Sequence, residues 1–173
     1  PGMWERTITV NSTGKTFSLT GWKIGYAIGP AGLVGAIQSA HQFITFASGT
    51  PFQDALATAM ELSRSNGYYD QLVRDYSHRR NLLQAALAGA ELATLPIGGS
   101  YFLMADISGL GFESDVAFCE WLVESIGVAA VPPSAFYLDP ATAPLLARFC
   151  FAKSDATIAA AAERLRNIGA VEP

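Results

Sequence analysis

The chain has 173 residues, half of them hydrophobic and 15% charged, with a formal net charge of −4 and a pI near 5.1. That is enough apolar material for a real core, and an acidic balance without a basic cluster excludes a nucleic-acid surface. Apolar stretches are broken by Gly, Pro or polar residues well short of a membrane span, no signal peptide is visible, and Cys119 and Cys150 sit in apolar contexts that predict free thiols, so a soluble cytoplasmic protein is expected.

The opening, Pro1-Gly2-Met3, is neither a translation start nor a usual domain beginning, and it reads as the start of a fragment. Residues 7–10 and 24–28 are rich in Ile, Val, Thr and Tyr and predict two buried strands. Pro30 opens a helix over residues 33–41, residues 44–51 form a Thr/Ser/Gly loop, and Pro51 opens a second helix through Leu62. Gly67 then breaks the chain. Residues 68–87 predict a long amphipathic helix with Leu72, Tyr76, Leu83 and Leu87 near one face. Gly98-Gly99-Ser100 is a turn running into a strand that includes residues 101–107. Ser114 or Asp115 caps a helix over 116–125, and 128–131 is a short strand ending at Pro132. A proline-bearing loop over 139–144 precedes a strand at 147–151, and Asp155 caps a closing helix that runs to Ile168 and stops at Gly169. The second half is thus an α+β arrangement, without internal repeats.

Two lysines carry the strongest chemical signal. Lys15 and Lys23 are the only charged side chains between Thr7 and Ala40, and both flank a turn dense in Ser, Thr and Gly. A lysine in an apolar run needs pairing or chemistry. Hydroxyl and amide donors with cations beside them suit a phosphate, and an amine suits an electrophile. Arg148 is a second, separate signal. It is the only charged residue from Leu145 to Ala152 and alternates with apolar neighbours in a strand, as a bidentate clamp for a carboxylate would.

The run Ser12-Thr13-Gly14-Lys15-Thr16-Phe17-Ser18-Leu19-Thr20-Gly21-Trp22-Lys23-Ile24-Gly25 closely resembles the lysine segment of class I/II aminotransferases, pyridoxal 5'-phosphate enzymes of fold type I. The form is similar to the kynurenine, methionine and glutamine transaminase branch, where Lys replaces the commoner Arg at the second basic position, and to N-succinyldiaminopimelate aminotransferases. Arg148-Phe149-Cys150-Phe151-Ala152-Lys153 resembles the same family's Arg-Phe-x-Phe-x-Lys stretch. The resemblance covers nearly all of these residues but half or less of a family chain.

It implies an α/β fold: the C-terminal part of a large cofactor-binding domain over residues 1–78, then a small α+β domain over 79–173. It implies Lys15 as the catalytic, Schiff-base lysine, Ser12 and Lys23 as phosphate contacts, and Arg148 as the grip on the substrate α-carboxylate. Phe46 lies in a loop that reaches the neighbouring subunit's active site in similar enzymes, so a homodimer is implied. Gly99, Tyr101 and Phe136 are candidates to line the substrate side. The ring-binding aspartate, tyrosine and stacking aromatic of the family belong upstream, so this polypeptide alone is expected to be inactive.

The expected function is transfer of an amino group between an amino acid and a 2-oxo acid. No second arginine is placed for a distal carboxylate, which favours neutral or aromatic substrates. A carbon–sulfur β-lyase on the same scaffold, and a non-catalytic ligand-binding or dimerisation module, are the alternatives. No Cys/His spacing predicts a metal site, and His41 and His78 are expected to be solvated or packed.

Overall fold

The computed structural model describes residues 1–170 and divides into two compact units, Pro1–Tyr69 and a second beginning at Asp70. In the first unit, β1 (Thr9–Ser12) and β2 (Gly25–Ile28) form an antiparallel ribbon in which Ser12 faces Gly25. Between them lie a one-turn helix, α1 (Thr13–Thr16), and a 3-10 turn at Thr20–Trp22. Then come α2 (Ala31–Ile44), entered through Pro30, and α3 (Thr50–Ser63), with Pro51 in its first turn. Both proline positions are where a missing N–H costs nothing.

The expectation of buried strands fails here. Val10 is 75% exposed and Ile28 50%, and neither strand has a buried residue. A two-stranded ribbon covers neither of its own faces, so apolar composition alone does not bury it. Ile24, just before β2, is the residue of this segment that is buried.

The long helix α4 (Tyr68–Gly89) begins after Gly67, whose φ of +76° ends the preceding segment in the left-handed region that glycine tolerates. Leu83 and Leu87 of its predicted apolar face are buried, and Tyr76 packs beside the core. The division at Tyr69/Asp70 falls in its first turn.

In the second unit β3 (Phe102–Asp106) pairs antiparallel with β4 (Leu146–Cys150), setting Met104 opposite Arg148. Alternation sends Leu103, Ala105, Ala147 and Phe149 into the core and leaves Phe102, Met104 and Arg148 half-buried on the other face. Helix α5 (Asp115–Trp121) buries Phe118 and Cys119, and α6 (Asp155–Leu165) buries Ile158 and Leu165. Ser114 caps α5 by accepting from the Ala117 N–H at 3.1 Å. The segment then continues as a π-helical turn, Leu122–Ile126, closed by Gly127.

Three local expectations are corrected. Residues 128–131 make only an isolated bridge, Val131 to Arg148, because Pro132 and Pro133 carry no N–H to extend the ladder. Ser154, not Asp155, caps α6, its hydroxyl accepting from the Thr157 N–H at 3.2 Å. That helix stops at Leu165, and Ile168–Ala170 is a separate 3-10 turn. Both cysteines are free thiols, Cys119 buried and Cys150 half-buried. Among the described residues no helix is long and apolar enough to cross a membrane.

Candidate functional site

In the first unit the chain is built to hold a hydroxyl and two lysines around one turn. Ser12 ends β1 and caps α1, its Oγ accepting from the Gly14 N–H at 3.2 Å. Thr13 is buried, and its N–H and hydroxyl both donate to the Ile24 carbonyl, at 3.2 and 2.8 Å. These two hydrogen bonds fix the backbone of Ile24, the residue after Lys23, beside Thr13. Lys23 adopts a left-handed conformation with φ of 56°. Lys15 is the third residue of α1 and is exposed, as are Ser12 and Lys23. The lysine thus stands on a single helical turn within the Ser/Thr/Gly-rich segment.

Two glycines make the arrangement possible. A Cβ on Gly25 would lie 2.6 Å from the Asn11 carbonyl oxygen, and one on Gly14 would lie 3.1 Å from the Thr20 Cα. Side chains at either place would push the two sides of the loop apart. The far end of α1 is held by Tyr68, whose hydroxyl donates to the Thr16 carbonyl and whose ring stacks on Phe17 at 5.3 Å. Lys15 is therefore mounted between a capped start and an aromatic anchor.

Phe46 sits just beyond α2 with φ of 69° and 81% exposure, its N–H bonding the His41 carbonyl at 3.0 Å. A left-handed backbone at a bulky residue costs about 1 kcal/mol or more and is tolerated where surroundings or function demand it. With Gly25, Ala27 and His41 it borders a cavity of about 460 Å³.

In the second unit Arg148 projects from the face of β4 opposite the core. Its guanidinium carbon lies 4.2 Å from the centre of the Phe102 ring and 4.7 Å from that of Phe136. Its Nε is buried and has no hydrogen-bond partner among the described residues. A desolvated donor of this kind is costly until an acceptor arrives, and a carboxylate is the acceptor that guanidinium geometry matches best. Phe102 as a neighbour of Arg148 was not legible in the sequence, since it depends on the β3–β4 register. Phe136 was a candidate, but as pocket lining rather than as a ring against the arginine.

Ser12, Lys15, Lys23 and Phe46 share the first unit, and Arg148 belongs to the second. Gly99 is exposed and borders a cavity of about 340 Å³ with Gly98, Ser100 and Arg80, whereas Tyr101 is half-buried and does not line it. His78 does have a partner, Asp155, at 3.3 Å, which also meets Arg79 at 3.4 Å. No group suited to hold a metal ion occurs among the described residues.

The family model "Aminotransferase class I and II" matches residues 1–165. Methionine aminotransferase of Escherichia coli (strain K12) is 43% identical over 168 residues, covering 97% of this chain and 43% of the relative. Kynurenine–oxoglutarate transaminase of Dictyostelium discoideum is 38% identical over 186 residues, again 97% of this chain and 43% of the relative. Among solved structures, N-succinyldiaminopimelate aminotransferase from Mycobacterium tuberculosis superposes with a TM-score of 0.87 at 40% identity, over 96% of this chain and 43% of that one. The chain therefore spans less than half the length of the curated relatives it matches.

Proposed function

The chain belongs to the aminotransferase class I and II family, and on that basis we propose that it is the lysine-bearing part of a pyridoxal 5'-phosphate-dependent aminotransferase. Residues 1–78 are assigned to the end of its large domain and 79–173 to its small domain. The whole enzyme moves an amino group between an amino acid and a 2-oxo acid. The observation that carries this reading is that two hydrogen bonds from Thr13 to the Ile24 carbonyl join the Ser12–Lys15 turn to the backbone just after Lys23.

That donor set suits the cofactor. The Ser12 hydroxyl accepts from Gly14 and keeps its own proton for a phosphate oxygen, while Lys23 supplies a positive point charge beside it. Lys15 supplies the primary amine that an aldehyde requires. Pyridoxal 5'-phosphate, when bound, supplies that aldehyde and a sink for the electrons of a broken Cα–H bond. With the cofactor bound, the Lys15 amine would take the proton from the substrate Cα and hold it for redelivery. Arg148 grips the α-carboxylate and so fixes which substituent of Cα is oriented for cleavage. The Phe102 and Phe136 rings beside it favour substrates with neutral, apolar side chains, in keeping with methionine and kynurenine in the relatives' names. The strained, exposed Phe46 is assigned to a homodimer in which it reaches the partner's site. Free thiols at Cys119 and Cys150 fit a cytoplasmic protein.

The test is direct. Pyridoxal 5'-phosphate is added, the mixture is reduced with borohydride, and the labelled peptide is mapped by mass. A single adduct on Lys15, lost in Lys15→Ala, is expected. Scattered or absent labelling would mean that this chain alone does not hold the cofactor; the same label on the whole protein then decides, and scatter there rejects the assignment.

A further inference from the structure

Phe136 is 66% exposed, so packing around its ring does little to keep it on the arginine. What holds it is the 3-10 turn Pro133–Phe136. The start of that turn is fastened by one buried carboxylate. Asp115 accepts the Ser134 N–H on Oδ2 and the Ser134 hydroxyl on Oδ1, both at 2.7 Å, and both residues are buried. Asp115 is free to reach across because Ser114 already caps α5. Just upstream, Val131 exchanges two backbone bonds of 3.0 Å with Arg148 itself. The segment from Val131 to Phe136 is thus docked to the arginine's backbone at one end and to its guanidinium at the other, with the Asp115–Ser134 pair between.

We propose that Asp115 and Ser134 are positioning residues for Arg148: through the turn they fasten, they hold Phe136 against the guanidinium and keep it presented for a carboxylate. This rests on reading Arg148 as the carboxylate clamp. The physical reason is cost. An arginine side chain loses rotamer freedom when it is fixed, and a ring that fixes it beforehand removes part of that cost from each binding event. A charged pair of hydrogen bonds in a buried place is the strongest fastening a short turn can have.

The experiment reads the Arg148 side chain by NMR in the chain itself. The Nε–H resonance, identified by its loss in Arg148→Lys, is expected to be shifted by the currents of two nearby rings. Ser134→Ala should lose at least half of that shift, Ser134→Thr should keep it, and Phe136→Leu should lose the share due to that ring. Phe136→Leu alters an exposed side chain, so it reports even if a change at the buried pair unfolds the unit. Titration with 3-phenylpropionate should then move the resonance saturably, with a Kd at least threefold weaker in Ser134→Ala and restored in Ser134→Thr. A resonance unchanged in Ser134→Ala, or insensitive to Phe136→Leu, overturns the proposal. Loss of the shift in Ser134→Ala, with no response to the carboxylate in any form, upholds the positioning and rejects only the clamp.

Discussion

The two units divide the chemistry and the stability unequally. The second encloses a continuous core in which Leu87, Leu103, Ala105, Phe118, Leu122, Ala147 and Leu165 are fully buried. The first carries the lysines, yet α2 has no buried residue, and Phe43, Ile44 and Phe46 are each more than 80% exposed. Burial within this chain, which spans less than half the length of its relatives, is concentrated in the second unit. What matters is whether a second layer covers the face, and β3 and β4 have α5 while β1 and β2 stay uncovered. The phosphate-binding candidates stand on local devices such as a cap, two glycines and an aromatic anchor. The arginine stands on a packed sheet.

The largest test of this contrast is truncation. Phe118→Ala should destabilise the second unit by about 3–5 kcal/mol in urea unfolding, whereas Phe43→Ala should stay within about 0.5 kcal/mol. Equal losses would break the comparison. Amide exchange comes next: amides of β3 and β4 should exchange roughly 100-fold more slowly than those of β1 and β2, about 2.7 kcal/mol in opening free energy. Matching protection in both ribbons would show that exposure does not govern local opening here.

Cys119 sharpens the contrast by pH. Burial pushes its thiol up to about 11, and the Asp115 carboxylate adds to the effect. The folded state keeps the proton while an unfolded thiol, at about 8.5, loses it. Its contribution to stability is therefore whole below about pH 8.5 and falls as pH rises toward 11. Cys119→Ala should flatten that decline in unfolding curves taken across this window. At neutral pH, iodoacetamide should modify Cys119 at least about tenfold more slowly than half-buried Cys150. The smallest effect is at the caps. Ser114→Ala should cost the second unit about 1 kcal/mol in thermal unfolding. Ser12→Ala should barely move that transition but should weaken cofactor labelling of Lys15.

Much of this is legible in the sequence, for reasons that differ by region. Lys15, Lys23 and Ser12 sit within one short loop, so their proximity is a local matter that the Gly14 and Gly25 spacing already implies. The long helix announced itself by period, and Gly67 and Ser114 by turn and cap chemistry. The burial of residues 7–10 and 24–28 was misjudged because burial is a property of what lies opposite, which strand composition does not encode.

From the sequence by itself come the family resemblance, Lys15 and Arg148 as candidates, and most element boundaries, because each follows from residue type and short-range spacing. Only the tertiary structure decided that Arg148 lies against Phe102 and Phe136 with its Nε unpartnered. It alone joined Asp115 to Ser134. Those contacts link residues far apart in the chain, and their register is set by packing and strand pairing, which no local pattern specifies.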